Sequence, residues 1–148
     1  MNPYSLNLLL ADDDRDDCIF FKEALEEIPI TTKLITVNDG VELMELLLKE
    51  DTVLPYVLFL DLNMPRKNGL DSLAEIKLHE KLKALPVIMF STSCNAQTAD
   101  KLQQHGARFY IQKPPEFEEL KKIIHKSLTL IMKNSGKSNK EEAFLLIP

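Results

Sequence analysis

The sequence predicts an α/β protein built on a parallel sheet, and three observations carry that prediction. Short continuous apolar runs recur at residues 6–11, 56–60 and 86–90, the pattern of strands buried on both faces. Between them the apolar spacing changes to that of amphipathic helices. The two patterns alternate five times between Leu6 and about Ile131, as parallel βαβ units with right-handed crossovers require.

Taken in order, LNLLLA is the first strand. Behind it Cys18, Phe21, Leu25 and Ile28 fall on one helical stripe, with Asp14 or Asp16 as N-cap and Pro29 as stop. The run 31–37 is richer in β-branched residues and reads as a second strand nearer an edge. Val41, Met44 and Leu48 mark a second helix, 56–60 the third strand, and Leu70, Leu73 and Ile76 or Lys77 a third helix. Strand four is 86–90, followed by a weaker helix through Ala96, Ala99 and Leu102 that ends before Gly106. Residues 109–112 form a brief fifth strand, also nearer an edge, and Phe117, Leu120, Ile124 and Leu128 a last helix.

At 148 residues the chain suits one domain with a substantial core. With 45% hydrophobic and 28% charged residues the composition is globular. The net charge of −5 and scattered lysines argue against a nucleic-acid surface. Cys18 and Cys94 have no metal-ligand spacing and read as reduced core thiols, and the three histidines are too scattered for a metal site. The start MNPYS has no signal-peptide pattern and no run is long enough to span a bilayer, so a cytoplasmic location and no membrane contact are expected.

Ligands of an open parallel sheet bind beyond the carboxyl ends of its strands. Here those ends carry Asp12-Asp13, Asp61, Ser91-Thr92 and Lys113-Pro114. Five aspartates crowd positions 12–17, and close carboxylates repel unless something positive sits among them. Three acids from two strands suit a hard divalent cation such as Mg²⁺, which prefers oxygen ligands. Asp61 closes an apolar strand ahead of the turn-forming Asn63-Met64-Pro65, and a carboxylate so held can attack phosphorus. Phosphoryl transfer to it needs a cation, a hydroxyl donor and a flexible positive side chain. Mg²⁺, Ser91 or Thr92, and Lys113 fit those parts.

From Ser5 to about Ile131 the chain resembles the receiver domains of two-component response regulators. The likeness rests on Asp12-Asp13 after LLLA, on FLDLNMPRKNGL around Asp61, on LPVIMFSTS leading to Ser91, and on FYIQKPPEF around Lys113. It implies a flavodoxin-like, doubly wound (βα)5 fold with a five-stranded parallel sheet in the order 2-1-3-4-5. It also implies that Asp61 is the phosphoacceptor, and that Mg²⁺ is held by Asp12, Asp13, Asp61 and the backbone carbonyl of Asn63. Ser91 and Lys113 would contact the phosphoryl group, and Lys113-Pro114 would be a cis bond. Tyr110 would move inward together with Ser91 as the switch. Such a protein catalyses its own phosphorylation and dephosphorylation without being an enzyme on another substrate. Asp14, Asp16 and Asp17 are assigned to the helix, as N-cap and first-turn acids.

Other readings fit less well. Haloacid-dehalogenase-type enzymes resemble DxDx[TV] after the first strand and carry a cap, whereas Asp61 is followed by Leu62-Asn63. A flavin carrier of the same architecture would need a phosphate loop where five aspartates repel phosphate. A degenerate receiver would lack part of the acid, hydroxyl and lysine set. Residues 1–131 are therefore expected to form the receiver and 132–148 a tail. Fewer than 20 residues follow the last helix, so the expected output is a protein-protein interaction. The partners would be a sensor histidine kinase or histidine phosphotransfer protein upstream and an unidentified protein target downstream. KNSGKSNKEE reads as a flexible linker, while AFLLI either returns to the domain, meets a partner or stays disordered.

Overall fold

The structure is a computed structural model that describes residues 5–93, 95–134 and 143–148. The chain runs β1 (Leu6–Ala11), α1 (Arg15–Glu26), β2 (Thr32–Val37), α2 (Gly40–Leu48), β3 (Val57–Leu60) and α3 (Gly69–Leu78). It continues through β4 (Val87–Ser91), α4 (Ala96–Gln104), β5 (Phe109–Gln112), α5 (Phe117–Lys133) and β6 (Leu145–Leu146). The strands form one sheet in the order β2-β1-β3-β4-β5-β6, every pair parallel. The order reverses between β1 and β3, which opens a crevice at their carboxyl ends.

Alternation along each strand divides the core in two. Leu8, Leu10, Val57 and Phe59 face α1 and α5, where they meet Phe21, Leu25, Ile124 and Leu128. Leu9, Ala11, Leu58 and Leu60 face the other layer, with Leu43, Leu47, Leu73, Ile76 and Leu102. A two-residue period in the strands thus feeds two helical layers, and the continuous apolar runs follow from burial on both faces. Phe21, Phe59 and Phe90 meet edge to face, with Phe21 4.9 Å from Phe59 and 5.4 Å from Phe90.

The starts of α1 to α4 are fixed by side chains, whereas α5 has no side-chain cap. The Asp14 carboxylate accepts from the amides of Asp16 and Asp17, and Asp39, Asn68 and Asn95 cap α2, α3 and α4. The expected α2 stripe is turned by about one residue: Leu43, Met44 and Leu47 are buried, whereas Leu48 is exposed. Leu43, Met44 and Leu47 pack with Leu9, Ala11 and Leu60 in the second core layer, and a Cβ at Gly40 would lie 2.2 Å from the Lys67 carbonyl oxygen, so the start of α2 also makes a close backbone approach.

Three further expectations change. The sheet has six strands, because Leu145–Leu146 pairs with Tyr110 and Ile111 and covers the edge that β5 was expected to present. Leu146 is buried and Lys126 Nζ donates to the Ile147 carbonyl at 3.0 Å. Burial of apolar side chains on a strand edge outweighs the freedom of a short tail. α5 extends to Lys133, past the boundary drawn at Ile131. Lys113-Pro114 is trans, since the described residues contain no cis peptide bond. Its amide still joins the sheet, donating to the Ser91 carbonyl at 2.8 Å, and the intrinsic difference between isomers at proline is only about 0.5–1 kcal/mol. The reading of Cys94, and that of the polar linker from residue 135 to 142, fall outside the described residues.

Candidate functional site

Strand register assembles the site. Ala11 of β1 stands beside Leu60 of β3, and Leu60 beside Met89 of β4. The residues that follow therefore emerge together at one rim. The Asp61 amide donates to the Ala11 carbonyl at 2.9 Å, and that of Asp12 to the Val37 carbonyl at 3.0 Å. Both carboxylates are thus carried on backbone that is still part of the sheet. Asp12 is fully buried, Asp61 is 5% exposed, and Asp13 opens to solvent.

Carboxylate oxygens of Asp12, Asp13 and Asp61 all lie within 4.8 Å of one another. Lys113 reaches into the group from the end of β5. Its Nζ is 2.7 Å from Asp12 Oδ2, 2.9 Å from Asp17 Oδ2 and 3.6 Å from Asp61 Oδ2. The other Asp12 oxygen accepts from the Asp14 amide at 2.9 Å, and Asp61 Oδ1 from the Asn63 amide at 3.4 Å. The ammonium also lies 5.4 Å from the centre of the Phe90 ring.

These surroundings set the charges. Burial, helped by the negative Asp12 and opposed by Lys113, pushes the Asp61 carboxyl up to about 7. Burial also raises Asp12, against the pull of the Lys113 bond. Burial alone would lower Lys113, but its bonds to Asp12 and Asp17 outweigh that and hold the amine charged, above its ordinary value. One cation thus faces more negative charge than it neutralises. The oxygen-only donor set, drawn from two strand ends and left short of positive charge, fits a hard divalent ion.

Ser91 is fully buried at the end of β4, and its Oγ has no hydrogen-bond partner among the described residues. A buried hydroxyl without a partner is costly, and this one stands on the strand beside that of Asp61. Thr92, the other hydroxyl at this strand end, is exposed. Tyr110 is buried one strand further on. Its hydroxyl donates to the Ser93 carbonyl, and its amide donates to the Phe144 carbonyl at 2.9 Å.

Three features were not anticipated. Asp17 bonds Lys113 rather than serving only the helix. Gly69 is obligatory, because a Cβ would lie 2.2 Å from the Asp61 carbonyl oxygen, and its signal was a lone glycine shortly after the strand-end acid. Arg66 takes a left-handed conformation at φ 63 and grips the Asp39 carboxylate through Nε at 3.0 Å and Nη2 at 3.2 Å. The loop after Asp61 is thereby tied to the start of α2.

Comparison with known proteins settles the family. The model for the response regulator receiver domain matches residues 8–125. The chain belongs to the response regulator receiver family. Response regulator Rcp1 of Synechocystis sp. is 31% identical over 121 residues, covering 79% of this chain and 82% of that protein. The crystal structure of the phosphorylated cyanobacterial phytochrome response regulator RcpA superposes with a TM-score of 0.80 at 30% identity, covering 88% of this chain and 96% of that one. The Mn²⁺-bound form of Rcp1 superposes with a TM-score of 0.76 at 28% identity, covering 93% and 99%. The protein is therefore a receiver domain of phosphorylation-based signalling, and among its described residues no helix is long and apolar enough to cross a membrane.

Proposed function

We propose that Asp61 accepts a phosphoryl group and that the resulting change of surface is read by another protein. The observation that carries this reading is the grouping of Asp61, Asp12 and Lys113, with Lys113 Nζ 3.6 Å from Asp61 and the unpartnered Ser91 hydroxyl on the next strand. Asp12, Asp13, Asp61 and the Asn63 carbonyl would hold Mg²⁺, which when bound neutralises charge on the transferring oxygens. Manganese in the related Rcp1 structure supports a hard divalent ion.

A carboxylate oxygen of Asp61 attacks phosphorus, and the bond from phosphorus to the donor breaks. A phosphohistidine donor leaves as imidazole, and acetyl phosphate leaves as acetate. Ser91 donates to one phosphoryl oxygen and Lys113 to another, so each meets charge that grows during transfer. Water later hydrolyses the acyl phosphate and returns the free carboxylate. Tyr110 is already buried, with its hydroxyl on the Ser93 carbonyl, so movement of Ser91 toward the phosphoryl group acts on Tyr110 through the segment after β4, and this couples the site to β5 and its neighbours.

The donor is a sensor histidine kinase or histidine phosphotransfer protein in the cytoplasm. RcpA is named for a phytochrome, and a kinase of that kind is the first donor to test. The output is a protein-protein contact made by the face that the phosphorylated site reshapes. The test is intact mass spectrometry with acetyl phosphate. Wild type with Mg²⁺ should gain one phosphoryl group, and chelation or Asp61→Asn should abolish the gain while the fold persists. An unchanged wild-type mass, or an undiminished gain in Asp61→Asn, would overturn the reading.

A further inference from the structure

We infer that Asp17 is a positioning residue for Lys113, holding the ammonium off the oxygens that the metal needs; this deepens the reading of the site given above and rests on it. The sequence makes Asp17 an ordinary first-turn acid of α1. The fold brings it to a lysine 96 positions away, with Lys113 Nζ donating to Asp17 Oδ2 at 2.9 Å. The lysine side chain is 9% exposed and that of Asp17 34%, so this bond lies at the mouth of the pocket while the bond to Asp12 lies within it.

The three distances order the competition. Nζ is held by Asp12 at 2.7 Å and Asp17 at 2.9 Å, and stays 3.6 Å from Asp61. Asp12 and Asp61 are two of the three acids grouped for a cation. Without a carboxylate at position 17, the ammonium has only those two oxygens to satisfy it and moves deeper between them. A divalent ion must then displace a lysine that has nowhere else to go. With Asp17 present, the lysine keeps one partner outside the cluster when the ion enters.

Once the ion is bound, the same residue acts in the opposite direction. Asp12 and Asp61 are then engaged, and Lys113 is shared between Asp17 and the phosphoryl oxygens. Asp17 weakens that contact and adds negative charge near an incoming dianion. Loss of its charge should therefore weaken metal binding and at the same time speed transfer at saturating metal. A residue that merely supported α1 would lower both.

The experiment compares wild type, Asp17→Asn, Asp17→Glu and Asp16→Asn, each also in a Lys113→Ala background. Asp16 belongs to the same helical turn, is exposed and makes no bond to Lys113, so its substitution controls for charge and helix effects. Mg²⁺ affinity is measured by calorimetry on unphosphorylated protein, and phosphorylation by acetyl phosphate is followed by intact mass. Asp17→Asn should raise the dissociation constant for Mg²⁺ by about three- to tenfold, the size expected when one partly screened ammonium–carboxylate contact is lost and the ammonium settles on the metal's oxygens instead. Its rate at saturating Mg²⁺ should rise by about two- to threefold, a modest change in one charge-assisted contact. Asp17→Glu should restore much of the metal affinity, and Asp16→Asn should change neither quantity. In Lys113→Ala, Asp17→Asn should have no more effect on metal affinity than Asp16→Asn.

Equal Mg²⁺ affinity in wild type and Asp17→Asn would overturn the inference. So would the same loss in the Lys113→Ala background, or a fall in both affinity and plateau rate. If wild type binds Mg²⁺ but gains no phosphoryl group, the proposed function fails, while the calorimetry still judges Asp17.

Discussion

Asp61→Asn should make the metal-free protein more stable at neutral pH while removing the proposed nucleophile. Burial holds the Asp61 carboxyl at about 7 against an ordinary 3.8, so the folded state prefers the protonated acid. A folded-state value above the unfolded one gives stability that is complete below the unfolded value and is lost as pH rises through the folded value. The window is therefore about pH 4 to pH 7. Across it the difference corresponds to an upper limit of about 4 kcal/mol. Asparagine stays neutral throughout and forfeits only the 3.6 Å pairing with Lys113, while Lys113 retains Asp12 and Asp17. The expected gain at pH 8 is about 2–4 kcal/mol, or a rise in melting temperature of about 5–15 °C for a chain of this size. Thermal melts in chelator between pH 4 and pH 8 should show the two proteins nearly equal at the acid end and diverging as pH rises. Added Mg²⁺ should narrow the gap, because it compensates a charge that asparagine lacks. A gap independent of pH, or an asparagine variant less stable than wild type at pH 8, would refute the claim that charge crowded at this rim is a cost carried for function.

Other consequences follow from individual contacts. Gly69→Ala forces a methyl group against the Asp61 carbonyl, and should cost about 1–3 kcal/mol in urea unfolding and slow phosphorylation by displacing the acceptor. Leu146→Asp places a charge where β6 buries an apolar side chain against β5; it should detach the strand, cost about 2–3 kcal/mol, and raise the hydrogen-exchange rate of the Tyr110 amide. Burial and the neighbouring Asp12 push the Cys18 thiol up to about 11, so peptide mapping after alkylation at pH 8 should find Cys18 modified far more slowly than a free thiol.

Much of this protein can be read along the chain because its signals are local. LNLLLA needs no partner to declare a strand buried on both faces, and Phe21 and Leu25 declare a helix face by spacing alone, although the helix stops at Glu26, before the Ile28 that the stripe included. A parallel sheet then forces strand ends to one rim, which makes Asp12, Asp61 and Lys113 neighbours from the sequence pattern alone. The order and distance of the quoted motifs were sufficient to suggest the receiver family that comparison confirms. The seating of α2 was less legible, because Gly40 meets the Lys67 backbone from another loop and the packing of Leu43 and Leu47 depends on residues distant in the chain. The five-residue apolar end AFLLI left three outcomes open, since only the uncovered edge of β5 distinguishes a strand from a tail.

Sequence alone determined the alternation of strands and helices, the two-faced core and the crowding of acids at the strand ends, because each depends on side-chain period and type over a few residues. Tertiary structure decided which of five neighbouring aspartates answers Lys113, that Leu145–Leu146 closes the sheet, that Lys113-Pro114 is trans, and that Ser91 is buried while Thr92 is exposed. Those outcomes depend on register and on helices docked from distant parts of the chain. Carboxylates that look equivalent in DDDRDD become different only when α1 and β5 are set side by side, because pairing energy falls with distance and rises with burial, and neither quantity exists until the fold does.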